Sequence, residues 1–339
     1  MQPVQTASCV AAAILAGCTL CAALERTPAA SGAPPREPVG AILDINPASA
    51  ATGSLGKAPA TYAPAVPLPP APPAAAVPAE PVRTYLFRGA LGLIFSRGMD
   101  RLTERVVQAG LPAKVNEFTV CRYIAEEAIR DYRQKPAPIA LIGHSMGGLC
   151  ALKFAEMLQA ENIPVSLVVT IDPAHLMPKV PLNVERYINI YLAHDVLGGG
   201  DARPENGYQG HYASFDLSKQ AGVLHVNIEK MNTLHAQIVA KLRDLAATPA
   251  KAEGEGVPLR YTVPRDAAIE LWDSGVPVYV RAGDTLQTLA ASFRVPLWSL
   301  MQVNNVPENA ALAANQRIVV PRHLVPLAAL SQSPPPPGR

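Results

Sequence analysis

Between residues 82 and 245 the chain alternates two hydrophobic patterns. Short apolar runs at 84–87, 114–118, 139–142, 165–171, 187–192 and 223–228 predict strands. Between them apolar residues recur at helical spacing over 100–109, where Leu102 and Val106 share a face, and over 123–132, 146–158 and 234–245. Strands alternating with helices predict an α/β domain over 82–247, a mostly parallel sheet covered on both faces. A site is then expected at the C-terminal edge of the strands.

Outside that stretch the pattern changes. Residues 27–81 are dominated by Pro and Ala, with few large apolar groups to bury, and read as an extended, semi-rigid spacer. A second break, rich in Pro, Ala, Gly, Lys and Glu, opens the segment 248–275, which reads as a linker, or, with Trp272, as a docking strand between domains. Residues 276–323 predict a strand, two short helices and a strand, and 324–339 form a proline-rich tail. Residues 1–26 contain an apolar run at 10–15, too short for the ~20 residues that span a bilayer, which reads as the core of a signal peptide.

Composition narrows the function. The 35 prolines are concentrated in those breaks, so 339 residues leave room for one catalytic-sized domain and a smaller companion. With a net charge of +2 and no basic run interleaved with aromatics, nucleic acid is excluded as a partner. The five cysteines show no zinc-ligand spacing. Cys121 and Cys150 could pair in an exported chain, but Cys150 falls on a predicted buried helix, and the reading favours a free thiol.

The tetrapeptide Leu15-Ala16-Gly17-Cys18 resembles the bacterial lipobox. The resemblance implies cleavage before Cys18, lipid on its thiol, and attachment to a membrane of the bacterial envelope. The sequence departs from the pattern in one respect, since Met1 to Cys9 contains no Lys or Arg.

The apolar strand 139–142 runs into Gly143-His144-Ser145-Met146-Gly147-Gly148 and then a helix, which is the G-x-S-x-G motif in its strand, turn, helix setting. A serine on such a turn adopts a strained conformation, and small residues two positions either side let strand and helix approach. The helix that follows aims its first amides at the reacting centre, so the Met146 amide is a candidate oxyanion donor. The hexapeptide resembles the elbow of the lipase and esterase branch of the α/β-hydrolase superfamily, which implies a compact α/β sandwich and a Ser, acid, His triad in that chain order. In that branch a second oxyanion amide follows an earlier strand, commonly after His-Gly. Here the stretch is Phe87-Arg88-Gly89-Ala90, with Arg88 in place of His and Ala90 as the candidate donor.

The same resemblance implies a base in the loop or helix that follows the last strand. Reading 223–228 as that strand makes His235 the base; His194, His211 and His225 are the other candidates. Two aspartates end predicted strands, Asp172 directly after the elbow unit and Asp195 one strand later, and Asp172 is preferred. No phosphate loop or H-E-x-x-H pattern is present, so neither cofactor nor metal is expected.

Towards the C-terminus, Gly283-Asp284-Thr285-Leu286, Asn304-Asn305 and Gln316-Arg317-Ile318-Val319-Val320-Pro321 resemble parts of a LysM domain, a small βααβ unit. The resemblance implies binding of N-acetylglucosamine chains, as in peptidoglycan, through Gly283, Asp284 and Thr285 and through Asn305, Val306 and Pro307. The sequence thus reads as a serine hydrolase of esters or thioesters held in the envelope. The alternatives are a peptidoglycan-modifying esterase or amidase, and an inert wall-anchoring lipoprotein.

Overall fold

The computed structural model describes residues 80–90, 96–245 and 254–325. The signal and lipobox segment with Cys18, nearly all of the spacer, and the tail from 326 lie outside the described residues.

Seven parallel strands form one sheet in the order β2-β1-β3-β4-β5-β6-β7. They are β1 (Arg83–Arg88), β2 (Ala113–Glu117), β3 (Ile139–His144), β4 (Leu167–Ile171), β5 (Arg186–Tyr191), β6 (His211–Asp216) and β7 (Leu259–Thr262). β3 and β4 are buried at every position, as continuous apolar runs in the middle of a parallel sheet should be. Helices α1 (Arg97–Gln108), α2 (Cys121–Gln134), α3 (Met146–Ala160) and α5 (Asn232–Asp244) cover the two faces, and a single turn, α4 (His225–Ile228), follows β6.

The alternation of side chains along each strand splits the core in two. Leu86, Ala140, Ile142, Val169, Ile188 and Ile190 meet Leu102 and Val106 of α1 and Leu234, Ile238 and Leu242 of α5. Phe87, Ile139, Leu141 and Val168 meet Ile124 and Ile129 of α2 and Leu152, Phe154 and Leu158 of α3. Cys121, at the start of α2, is disulfide-bonded to Cys150 of α3, which corrects the reading of Cys150 as a free thiol.

Two parts of the sequence reading change. Residues 223–228 are not a strand; the chain turns at Gly222 (φ 75°), and Asn227 receives the Leu224 amide at 2.8 Å to close one helical turn. The strand that precedes this turn is instead β6, in a stretch read as loop. The segment 248–275 carries β7, parallel to β6, and the beginning of β8 (Trp272–Tyr279).

β8 pairs antiparallel with β9 (Arg317–His323), and α6 (Leu286–Phe293) and α7 (Leu297–Asn304) lie between them in sequence, the expected βααβ order. This unit has its own small core of Val280, Leu286, Leu289, Leu300, Ile318 and Val320. It also shares the main one. Trp272, Val319 and Leu324 belong to the same buried cluster as Phe215 and Tyr261, and Trp298 of α7 stacks on Tyr261 and Trp272 at 5.7 and 5.8 Å. The Gln302 carboxamide bonds both the amide and the carbonyl of Thr262, at 3.1 and 2.9 Å, satisfying polar backbone on edge strand β7. At the seam Asp273 is fully buried against Arg186, Lys241 and His211, each 3.6 Å away, and Arg322 at 3.2 Å.

Candidate active site

The chain leaves β1 toward β2 on one side and returns through β3 to the other, so the loops after β1 and β3 diverge and open a crevice at their C-terminal ends. Ser145 sits there with φ 55° and ψ −124°, a conformation that a non-glycine residue holds only when its surroundings enforce it. Its neighbours enforce it. A side-chain carbon on Gly143 would lie 2.0 Å from the Gly147 carbonyl oxygen, and one on Gly147 would lie 2.2 Å from that of Phe87, so both must be glycine for β1, β3 and α3 to approach. Gly89 faces the serine from the β1 loop, and a carbon added to it would lie 2.7 Å from Ser145 Cβ and 3.2 Å from its Oγ.

The end of β4 packs against the elbow, with the Ser145 amide bonded to Ile171 and the Ala174 amide to the Ser145 carbonyl. Asp172 follows Ile171, also at positive φ, and is completely buried. Its Oδ1 accepts the amides of Leu192 and Gly199 at 3.0 and 2.9 Å, while Oδ2 accepts a hydrogen bond from His225 Nδ1 at 2.7 Å. The carboxylate therefore fixes the proton on Nδ1 and leaves the lone pair on Nε2. The His225 ring stacks at 4.7 Å on His144, the residue before the serine. A buried carboxylate thus holds the His225 ring in one tautomer at the sheet edge that carries the strained serine turn.

His235 is not part of this group. It lies in the first turn of α5, nearly fully buried, with Nε2 on the Glu229 carbonyl at 2.7 Å; burial lowers its pKa. The strand that precedes the paired histidine is β6, and the histidine that meets Asp172 is His225. Asp195 is close, since one oxygen each from Asp172 and Asp195 and a His225 nitrogen lie within 4.8 Å of one another. Its Oδ1, however, accepts the Leu197 and Gly198 amides at 2.8 and 3.0 Å, as an aspartate that closes its own turn does. These three residues are the one His and carboxylate group among the described residues compact enough for a metal ion, yet both Asp172 oxygens are already committed.

Of the two oxyanion candidates, Met146 opens α3, where amides have no carbonyl of their own helix to bond. Ala90 is exposed in the turn after Gly89. Arg88, which stands where histidine is usual, pairs with Asp100 and with Glu117 at 3.0 Å and so ties this turn to α1 and β2. A cavity of about 450 Å³ lined by Val184, Glu185, His211 and Glu255 lies at the opposite, N-terminal ends of β5 and β6, away from Ser145.

In the βααβ unit the two expected glycan loops are neighbours, linked by a Gln287 to Glu308 hydrogen bond at 3.4 Å. Several of their residues also have local work. Asp284 accepts the Arg281 amide, Thr285 caps α6 through the Thr288 amide, Gly283 has φ 90°, and Asn305 ends α7 at φ 51°. Gly283, Thr285, Asn305 and Pro307 are exposed, and Asp284 and Val306 partly so.

Comparison with known families agrees with this architecture. Residues 111–185 match the Thioesterase domain family, a stretch that includes Ser145 and Asp172 and stops short of His225, and residues 278–321 match the LysM domain family. Among solved structures, one assigned to the hydrolases of the alpha/beta superfamily, from Xanthomonas campestris pv. campestris, is similar at 16% identity with a TM-score of 0.27, covering 50% of this chain and 97% of that one. No curated protein matches the chain. The chain thus combines a seven-stranded parallel α/β sheet with a strained serine turn at its C-terminal edge. More particularly, it joins a stretch that matches the Thioesterase domain family to a C-terminal stretch that matches the LysM domain family.

Proposed function

We propose that this protein is a serine hydrolase of carboxylic esters or thioesters, with Ser145 as nucleophile, His225 as base and Asp172 as the acid. The observation that carries the reading is the 2.7 Å bond between Asp172 and His225 Nδ1 beside the elbow. His225 Nε2 takes the Ser145 proton as Oγ attacks the acyl carbon, and the amides of Met146 and Ala90 hold the oxyanion. The tetrahedral adduct collapses as the imidazolium returns that proton to the departing alkoxide or thiolate. Water, deprotonated by the same base, then hydrolyses the acyl-enzyme and restores Ser145.

The acyl side of the substrate is apolar. Leu176, Val196, Leu197 and Leu224 are 88, 86, 63 and 56% exposed on loops after β4, β5 and β6, flanking the Asp172 and His225 pair. Hydrolysis of a series of p-nitrophenyl esters and acyl thioesters tests this. kcat/KM is expected to rise at least about tenfold from acetyl to octanoyl, since each buried methylene contributes about 0.8 kcal/mol. Turnover of none of them would sink the reading, and release of amine from peptidoglycan would move it to an amidase.

Asp172→Asn is expected to lower kcat on the order of 10⁴-fold, because the amide no longer stabilises the imidazolium or its tautomer. Asp195→Asn is expected to stay within about threefold of the parent, because asparagine serves the same turn. Comparable losses in both would mean that the two carboxylates share the role.

The lipobox-like Cys18 and the LysM domain support display in a bacterial envelope, anchored by lipid and bound to N-acetylglucosamine glycan. The Cys121 and Cys150 disulfide supports an oxidising compartment.

A further inference from the structure

We propose that His144 is a positioning residue that aligns the oxyanion turn, the nucleophile and the base through one buried imidazole. The inference rests on the reading of Ser145, His225 and Asp172 above. His144 and Ser96 are each 1% exposed. His144 Nε2 lies 3.0 Å from the His225 carbonyl oxygen, its Nδ1 lies 2.8 Å from Ser96 Oγ, and Ser96 Oγ lies 3.2 Å from the Gly89 amide.

Donor and acceptor rules leave one arrangement for a neutral ring. The His225 carbonyl can only accept, so the proton is on Nε2. Nδ1 then accepts from the Ser96 hydroxyl, and the Ser96 oxygen accepts the Gly89 N–H. The direction is fixed from end to end, and each group comes from a different part of the chain: Gly89 after β1, Ser96 before α1, His144 at the end of β3, and His225 after β6. His225 is thereby gripped twice, by its backbone carbonyl through His144 and by its ring through Asp172.

The network also needs His144 to stay neutral while His225 becomes charged. Burial, reinforced by the neighbouring His225 and Lys230, holds the His144 pKa down at about 3. A second cation beside the imidazolium is thus avoided, and the Nε2–H bond persists through the reaction. Because none of these groups is required to touch substrate, the network acts on alignment, where an error of about 1 Å can cost about 10²-fold in rate.

The test compares Ser96→Ala, Ser96→Thr, His144→Asn and His144→Leu with the parent in kcat, KM, thermal melting and imidazole ¹⁵N chemical shifts. Ser96→Ala removes one oxygen and leaves the core otherwise intact, so it stays informative if His144→Leu fails to fold. The expected result is a 10- to 100-fold loss of kcat in Ser96→Ala with KM within about threefold, and recovery toward the parent in Ser96→Thr. His144→Asn, which keeps an acceptor for Ser96 but not the donor to His225, is expected to lose as much as Ser96→Ala. The NMR spectrum is expected to show His144 protonated on Nε2 and not titrating above about pH 4.

Parent-like kcat in folded Ser96→Ala and His144→Asn would overturn the inference, as would a proton on His144 Nδ1. A fall in melting temperature with unchanged kcat would assign the network to stability alone. If those variants are parent-like while Asp172→Asn is inactive, only this inference fails. If Asp172→Asn and Ser145→Ala are parent-like as well, the reading of the site fails and this inference falls with it.

Discussion

His225→Ala is expected to lower kcat on the order of 10⁶-fold, the scale of loss when the base of a serine triad is removed. The alanine leaves no group to accept the Ser145 proton, and it strands Asp172 Oδ2, which receives only the imidazole, while Oδ1 keeps its two amides. His235→Ala separates this account from one built on chain position alone. Its buried ring bonds the Glu229 carbonyl, so alanine is expected to cost about 1–3 kcal/mol of stability and to leave kcat within about tenfold. The check is kcat for both variants on the same p-nitrophenyl ester, with a thermal melt of each. Severe loss confined to His235→Ala would return the base to α5.

Asp273→Asn is expected to produce the largest loss of stability. Asp273, the second residue of β8, is fully buried, and Arg186 of β5, Lys241 of α5 and Arg322 of β9 all approach it. Asparagine keeps the shape and removes the charge that three buried cations share. Breaking such a pairing typically costs about 3–5 kcal/mol. For domains of this size that is a fall in melting temperature on the order of 10 °C. Because Trp272 and Val319 of the βααβ unit lie in the same core as the main sheet, calorimetry is expected to show one transition in the parent and one in the variant. Two separate transitions in the parent would mean that the βααβ unit folds independently of the main sheet.

How much of this was legible in the sequence depended on where each residue finds its partners. β3 and β4 read clearly because Ile139 to Ile142 and Leu167 to Val169 are apolar and buried throughout. The elbow read clearly because its glycines and serine are contiguous. β6 did not, because His211, Tyr212 and Ser214 are polar residues buried on partners distant in sequence. Tyr212 donates to the Ala202 carbonyl at 2.9 Å and Ser214 to Asp201 at 3.0 Å, contacts that a local pattern cannot show. With β6 hidden, the apolar stretch at 223–228 took its place and directed attention from His225 to His235. The turn signals at Gly222 and Asn227 were present and argued against a strand there. What distinguishes Asp172 from Asp195 is tertiary: its Oδ2 meets an imidazole 53 residues away, whereas Asp195 closes a turn of its own. Trp272 and Asp273 looked like part of a linker because the groups that bury them come from β5, β6, α5, α7 and β9.

The central claim is that Ser145 is a nucleophile activated by His225. Reaction of the full chain with a fluorophosphonate, followed by intact-mass and peptide-mass measurement, tests it without any assumption about the natural substrate. One adduct on the peptide containing Ser145 is predicted, absent in Ser145→Ala and formed far more slowly in His225→Ala. An adduct on another residue, equal labelling of Ser145→Ala, or no labelling of the parent would contradict the account.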